Sequence, residues 1–416
     1  MKNHFDSLLR TVYDRIVSRI FKETYRMQEK DFTRNRKLKF HEIVLLILKG
    51  SKNGLRAGIQ TFLKEIDTDV DTYSKAAFCK ARQKIHPDAF KDLFEGSVTQ
   101  FYEEVSWKRF HGYRVSAIDG TVLNLPNTAE LLELFGSEPF IGNTQVQSHS
   151  SCLYDVLNHV IMDCQIGAHN GNERILALAH LEKLAAIRSE KELLVFDRGY
   201  PSEQLMRALD KKGFKYLMRC NKKEFFREVR KVDAPDAIVT RKCKDGDLTF
   251  RVISIALEDK FETLITNITD EEFTISEFKE LYHLRWEIET KYDDLKNKLQ
   301  LENFSGVSAI CILQDFYATM FLSNAMAFLE ADLTDEIEEY NLSHDNKYEY
   351  QLNRAATIAA LKESFVEFVI TDSNRKRKKL LRHIQRELMQ CLIPIRNGRS
   401  FPRKRKHYSL KFHSNS

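Results

Sequence analysis

The chain has 416 residues, 43% of them apolar and 30% charged, with a net charge of +5. That length allows two or three domains, and that balance describes a globular chain rather than a disordered one. No apolar run is long enough to span a bilayer, MKNHFDSLLRTVYDR lacks the apolar core of a signal peptide, and seven cysteines without a CxxC pair exclude a zinc ribbon or disulfide frame. Reduced thiols in a cytoplasmic, nucleoid-associated protein with no membrane contact are the expectation.

Charge is unevenly spread. Residues 1–60 hold 14 Lys and Arg against 6 Asp and Glu, and residues 375–411 hold 14 against 1, so the middle of the chain is acidic. Basic ends around an acidic centre suit a polyanion held by the ends and cations held in the middle, which points to DNA as partner.

The first hundred residues read as helical. FHEIVLLILKG (40–50) has apolar residues at helical spacing and stops at Gly50, LRAGIQTFLKEI continues the pattern, and TYSKAAFCKARQKI (72–85) offers Thr72 or Ser74 as N-cap. In the last, Ala77, Phe78, Ala81 and Ile85 make the apolar side while Lys75 and Arg82 project elsewhere. Such a pair with a basic second helix suits either a helix-turn-helix DNA reader or a plain helical bundle.

The pattern changes near 112. GYRVSAIDGTVLNLP alternates as a strand does, SSCLYDVLNHVIMDCQIG (150–167) supplies two more strands, and NERILALAHLEKLAAI (172–187) is an amphipathic helix. KELLVFDRGY (191–200) opens as a strand buried on both faces, SEQLMRALDKKG (202–213) is a helix ending at Gly213, and FKYLMRC (214–220) is another strand. Strands followed by alternating strand and helix imply an α/β fold, a mixed sheet flanked by helices. AIVTRKCKDGDLTFRVISIAL and FETLITNI read as hairpins turning at Asp245-Gly246, a β-rich insertion. A helix over 276–300 with Ser276 as N-cap follows, then AICILQDFYATMFLSNAMAFLEADL (309–333), apolar enough to pack on the sheet, and a basic tail. The expected organisation is a helical N-terminal DNA-binding region at 1–105, a catalytic core at 106–220 and 276–345 interrupted by the β-rich insertion at 221–275, and a basic region at 346–416.

Within the 276–300 helix, a step of 100° per residue from Tyr282 puts Arg285 at about 300°, Glu289 at about 340° and Lys296 at about 320°, one sector of roughly 60°. Leu281, Leu284, Ile288, Leu295 and Leu299 fill the neighbouring sector, so the four polar residues border the buried face. Alone, such a row is an ordinary set of surface ion pairs. Two carboxylates elsewhere change its meaning. Asp119 in AIDGT and Asp197 in VFDRG each stand at a strand and are followed closely by glycine, as residues facing the crevice of an open α/β sheet do. If the two strands are neighbours, the aspartates converge and Glu289 completes a three-carboxylate set. Oxygen-only ligands select Mg²⁺ or Mn²⁺, and two ions roughly 4 Å apart activate a water or 3′-hydroxyl against a phosphodiester. Arg285 and Lys296 would then grip phosphates, Tyr282 would bond a phosphate or stack on a base, and Arg198 beside Asp197 would add a further DNA contact.

Tyr282, Arg285, Glu289 and Lys296 together reproduce a Tyr-x2-Arg-x3-Glu-x6-Lys signature, and AIDGT and FDRGY match the contexts of the first two acids. In these residues the chain resembles the DDE transposases of bacterial insertion sequences, specifically their hairpin-forming branch, over roughly 30–410. The resemblance implies an RNase H-like catalytic domain with Asp119, Asp197 and Glu289 as catalytic metal ligands. It implies cut-and-paste transposition through a hairpin intermediate, acting on transposon inverted-repeat ends and target DNA, in a homodimeric synaptic complex. Branch members that flip a base use a Trp in the insertion. Here the tryptophans are Trp107 and Trp286, and Phe225, Phe226 and Phe250 are the aromatic candidates in that segment. A structure-specific nuclease of the same fold and a domesticated DNA-binding protein are the alternative readings.

Overall fold

A computed structural model describes residues 3–34, 36–50, 54–66, 72–140, 143–187, 190–257, 260–270 and 273–396. The tail from 397 onward, with its FPRKRK run, lies outside the described residues. Two compact units form: one from Met1–Ser106, Leu125–Leu131 and Asp294–Ser416, the other from Trp107–Asn124 and Leu132–Asp293.

The first unit is helical. Phe40–Lys49 ends at Gly50, whose φ of 62° is the left-handed conformation that lets the chain leave a helix without a Cβ clash. Ser74 caps Lys75–Arg82 by accepting from the Ala77 N–H. The long helix Ala309–Asp332 forms the centre, against Asp88–Glu104, His4–Val17 and Phe40–Lys49. The sequence suggested that it packs on the sheet; its neighbours within its unit are helices instead. It is apolar around its whole circumference, with Phe321 through Leu329 all buried, as a helix enclosed by others must be. Its polar breaks are satisfied internally: Gln314 donates to the carbonyls of Arg82 and Ile85 at 3.0 and 2.8 Å, and Asn324 donates to Ser97 at 3.2 Å. Arg82, expected to project away from the apolar side, is fully buried, donating to Gln314 at 2.9 Å and paired with Asp315 at 2.8 Å. A buried guanidinium so held is a packing residue and not part of a DNA-reading face.

The second unit is built on a nine-stranded mixed sheet. Its strands are β1 (Tyr113–Asn124), β2 (Ser137–Phe140), β3 (Asn143–Asp155), β4 (Val160–Ala168), β5 (Lys191–Phe196), β6 (Lys215–Cys220), β7 (Asp236–Arg241), β8 (Leu248–Leu257) and β9 (Lys260–Thr266). β3 runs antiparallel to both of its neighbours β4 and β1, and β5 and β6 then add parallel to β1. That order, with helices Glu173–Ala186 and Glu203–Lys211 in the crossovers, is the RNase H-like arrangement. β5 is central and buried on both faces, as its apolar run requires. The β-rich segment prolongs the same sheet: β9 pairs with β6, β8 with β9 and β7 with β8, all antiparallel, and Gly246 takes φ 98° at the β7–β8 turn. Phe225 and Phe226 stack 4.0 Å apart there, and Phe250 is fully buried.

The helix expected over 276–300 is not continuous. Thr274, not Ser276, caps Ile275–Leu284, in a reciprocal capping box with Glu277. A turn at Arg285 breaks the helix, with i→i+3 bonds from the Arg285 and Ile288 N–H groups, and Trp286–Asp293 follows. The chain then widens into a π-helical turn, Asp294–Lys298, closed by the Leu299 N–H on the Asp294 carbonyl at 2.8 Å. The Arg285 backbone keeps α-helical angles, φ −54° and ψ −31°, so the uniform step is departed from in the π-helical turn that carries Lys296.

Candidate active site

β1 and β5 are hydrogen-bonded neighbours, with Ser116 opposite Leu194 and Ala117 opposite Val195. Carried forward two residues, that register sets Asp119 level with Asp197 at the end of β5. β6 continues the row: Phe196 lies opposite Met218, so Arg219 follows level with Asp197, and its Nη1 lies 4.0 Å from Asp197 Oδ1. Two acids and one cation therefore stand side by side at one end of three parallel strands.

The Asp119 backbone is fixed from two directions. Its carbonyl accepts from Tyr292 Oη at 2.7 Å and from Ser151 Oγ at 3.3 Å, and Ser151 is bonded in turn to His180 and through it to Asp163, at 3.0 and 2.7 Å. Its carboxylate accepts the Gly120 N–H at 3.0 Å. Burial pushes the Asp119 carboxyl up to about 6; the Gly120 N–H and Arg285 oppose the shift, and Glu173 and Glu289 add to it.

Trp286–Asp293 packs against β1 and carries Glu289. Arg285 Nη2 donates to Glu289 Oε1 at 2.7 Å. The Arg285 side chain is only 4% exposed, against 36% for Glu289. Its guanidinium lies over the rings of Tyr282 and Trp286, at 5.8 and 5.1 Å, and its Nε has no hydrogen-bond partner. Tyr282 Oη donates to Asp197 Oδ1 at 3.4 Å, and burial raises its phenol well above the usual range. The two helices on either side of Arg285 thus reach both aspartates: Tyr282 touches Asp197, and Tyr292 touches the Asp119 carbonyl.

Arg198 is exposed in the loop after β5. Lys296 is half-buried on the π-helical turn, which belongs to the first unit. Sequence reasoning passed over Glu173, the first residue of its helix after the Asn172 N-cap. An acid there is unremarkable, because the helix dipole favours one at any N-terminus. It also passed over Tyr200 in the FDRGY run, now fully buried with an unpartnered Oη.

Among the described residues no group of three or more His, Cys, Asp or Glu side chains is set closely enough to hold a metal ion. The donor chemistry nevertheless fits a hard divalent cation. Asp119, Asp197 and Glu289 offer only oxygens, and Asp119 and Asp197 stand level at the ends of neighbouring strands. Among the described residues no helix is long and apolar enough to cross a membrane.

The fold is shared with a piggyBac transposase synaptic complex with hairpin DNA solved by cryo-EM, at a TM-score of 0.50 and 12% identity over 96% of this chain and 88% of that one. In sequence the chain is 22% identical over 354 residues to transposase InsG for insertion sequence element IS4 of Escherichia coli (strain K12), covering 81% of this chain and 77% of the relative. Residues 110–323, a little over half the chain and including Asp119, Asp197 and Glu289, match the transposase DDE domain. The chain belongs to the transposase DDE domain family.

Proposed function

We propose that this protein is a cut-and-paste transposase of an insertion sequence, with Asp119, Asp197 and Glu289 as its catalytic carboxylates. The observation that carries the reading is the β1–β5 register, which sets Asp119 level with Asp197 while the Glu289 helix packs on β1. Glu289 would turn from Arg285 toward the two aspartates to complete the set. Bound there, a pair of Mg²⁺ or Mn²⁺ ions would activate the water or 3′-hydroxyl that attacks a phosphodiester and would stabilise the leaving oxygen. Arg285, released from Glu289, would offer its guanidinium to the phosphate beside the scissile bond, and Tyr282 would hold Asp197 or meet a displaced base. Arg198 and Lys296 would contact DNA backbone, and the basic termini would hold the inverted-repeat ends and target DNA.

A hairpin intermediate and a homodimeric synaptic complex complete the proposal. The hairpin rests on the Tyr282, Arg285, Glu289 and Lys296 spacing. For the flipped base, the stacked Phe225 and Phe226 or the partly exposed Trp286 are the available aromatic faces, and Phe250 is enclosed.

The test is cleavage of DNA bearing the element ends by Asp119→Ala, Asp197→Ala and Glu289→Ala variants in Mg²⁺. Each is expected to bind the ends and cut nothing; retained cutting in all three would end the proposal. A pre-cleaved end separates transposase from nuclease, since a transposase joins it to target DNA and a nuclease only hydrolyses.

A further inference from the structure

Glu173 lies between the Asp119 stretch of β1 and the turn that follows Asp197. A Cβ added at Gly120, next to Asp119, would stand 3.2 Å from Glu173 Oε1, and one added at Gly199, two residues after Asp197, would stand 3.8 Å from Glu173 Oε2. One carboxylate therefore faces both segments, one oxygen toward each. Arg174 Nε donates to the Gly199 carbonyl at 3.1 Å and ties the same helix start to the turn after Asp197.

Two buried polar atoms in the neighbourhood of that carboxylate have no hydrogen-bond partner. His149 is 7% exposed and its Nε2 makes no hydrogen bond; the same Gly120 Cβ would stand 2.6 Å from it. Tyr200 is 1% exposed and its Oη makes none either, although the charges of Asp119, Glu173 and Asp197 all act on it. Buried polar groups are almost always bonded, so two orphans around one acid mark the place of a missing polar ligand. A neutral imidazole nitrogen and a phenol beside carboxylates complement metal-bound water, with its donor hydrogens and cationic centre.

We propose that Glu173 is a fourth carboxylate of the cation site, holding with His149 the water shell of a divalent ion carried by Asp119 and Asp197; this rests on the catalytic reading above. Glu173 sits on the Gly120 face of β1 and Asp119 on the other by strand alternation, so its action on the ion runs through water around the end of β5, where the β1–β5 pairing has stopped and Glu173 Oε2 reaches the Gly199 turn. Gly120 leaves the room on its own face that His149 and Glu173 fill.

The probe is Mn²⁺ alone, titrated calorimetrically into the full chain as wild type, Glu173→Gln, His149→Gln and Asp119→Asn, with thermal unfolding of the ion-free variants as the fold control. Glu173→Gln keeps the size and polarity of the side chain. Its expected effect is a 10- to 100-fold loss of Mn²⁺ affinity, as for other outer-shell partners, with a matching rise in the Mg²⁺ needed for half-maximal cleavage. His149→Gln is expected to weaken Mn²⁺ in the same direction, and Glu173→Asp to recover part of the loss. Wild-type Mn²⁺ affinity in Glu173→Gln, with Asp119→Asn impaired, overturns this inference and leaves the catalytic reading standing. Unimpaired Mn²⁺ binding and cleavage in Asp119→Asn overturn both.

Discussion

The same two strands carry opposite solutions at their two ends. Near the start of β1 and β5, Arg114 lies directly opposite Glu192 in register, and the two form a buried ion pair, with Arg114 Nε donating to Glu192 at 3.2 Å and Nη2 closing the second contact. Five residues on, the same register brings Asp119 level with Asp197, acid beside acid. The first end neutralises its charges within the chain. The second leaves a surplus that Arg285, Arg219 and the Gly120 N–H only partly offset. Sheet geometry alone would serve equally well for either arrangement. A fold that can pair Arg with Glu across β1 and β5 has no structural reason to set two acids level, unless the missing charge arrives from outside.

The largest expected effect breaks the unbalanced end. Asp119→Asn, Asp197→Asn and Glu289→Gln should each lower DNA cleavage by at least about 10³-fold, measured under single-turnover conditions, while the melting temperature of the two aspartate variants stays level or rises as repulsion is relieved and that of Glu289→Gln falls because the buried Arg285 loses its carboxylate. Unfolding in these variants would make the acids structural and erase the contrast. The balanced end should behave in reverse. Arg114→Met should cost about 3–5 kcal/mol in urea unfolding at pH 8, because it strands a buried carboxylate, and Arg114→Met combined with Glu192→Leu should recover most of that loss. Full stability in the single variant would show that the pair is idle.

Smaller effects sharpen the comparison. Gly120→Ala places a methyl against His149 and Glu173 and should cost about 1–3 kcal/mol, with a fall in Mn²⁺ affinity alongside. The smallest concerns pH. Burial pushes the Glu192 carboxyl from its ordinary 4.5 up to about 7, with Arg114 opposing. The native state therefore holds this proton more tightly than the unfolded chain. Its contribution to stability is complete below about 4.5 and is lost as pH rises through about 7. Glu192→Gln should flatten that part of the stability profile, and an unchanged slope would assign it to other groups. By the same logic the Arg114→Met penalty should shrink at pH 5, where Glu192 takes a proton.

Much of the fold could be read locally. Apolar runs and glycine stops located β1, β4, β5, β6 and the second half of β3, the hairpins around Asp245-Gly246, and the helices ending at Gly50 and Gly213, because these depend on neighbours in sequence, while β2 and the start of β3 went unread. What resisted reading depends on distant partners or on departures from regular geometry. Arg82 looked like a surface cation because nothing nearby announces Gln314 and Asp315. The helix Ala309–Asp332 was apolar enough for a sheet or a bundle, and only its neighbours decide. The π-helical turn after Asp293 escaped a reading that assumes a constant step. At the candidate site, the sequence could state the condition that Asp119 and Asp197 lie on adjoining strands but could not decide it. Glu173 was invisible, since its meaning comes from two glycines that the fold brings beneath it.

Anomalous diffraction from crystals of the full chain grown in Mn²⁺ addresses the central claim most directly. The expected result is a Mn²⁺ peak in contact with carboxylate oxygens of both Asp119 and Asp197, with Glu289 turned toward it and away from Arg285. Saturating Mn²⁺ with no peak between those two aspartates, and with Glu289 still bound to Arg285, would contradict the account.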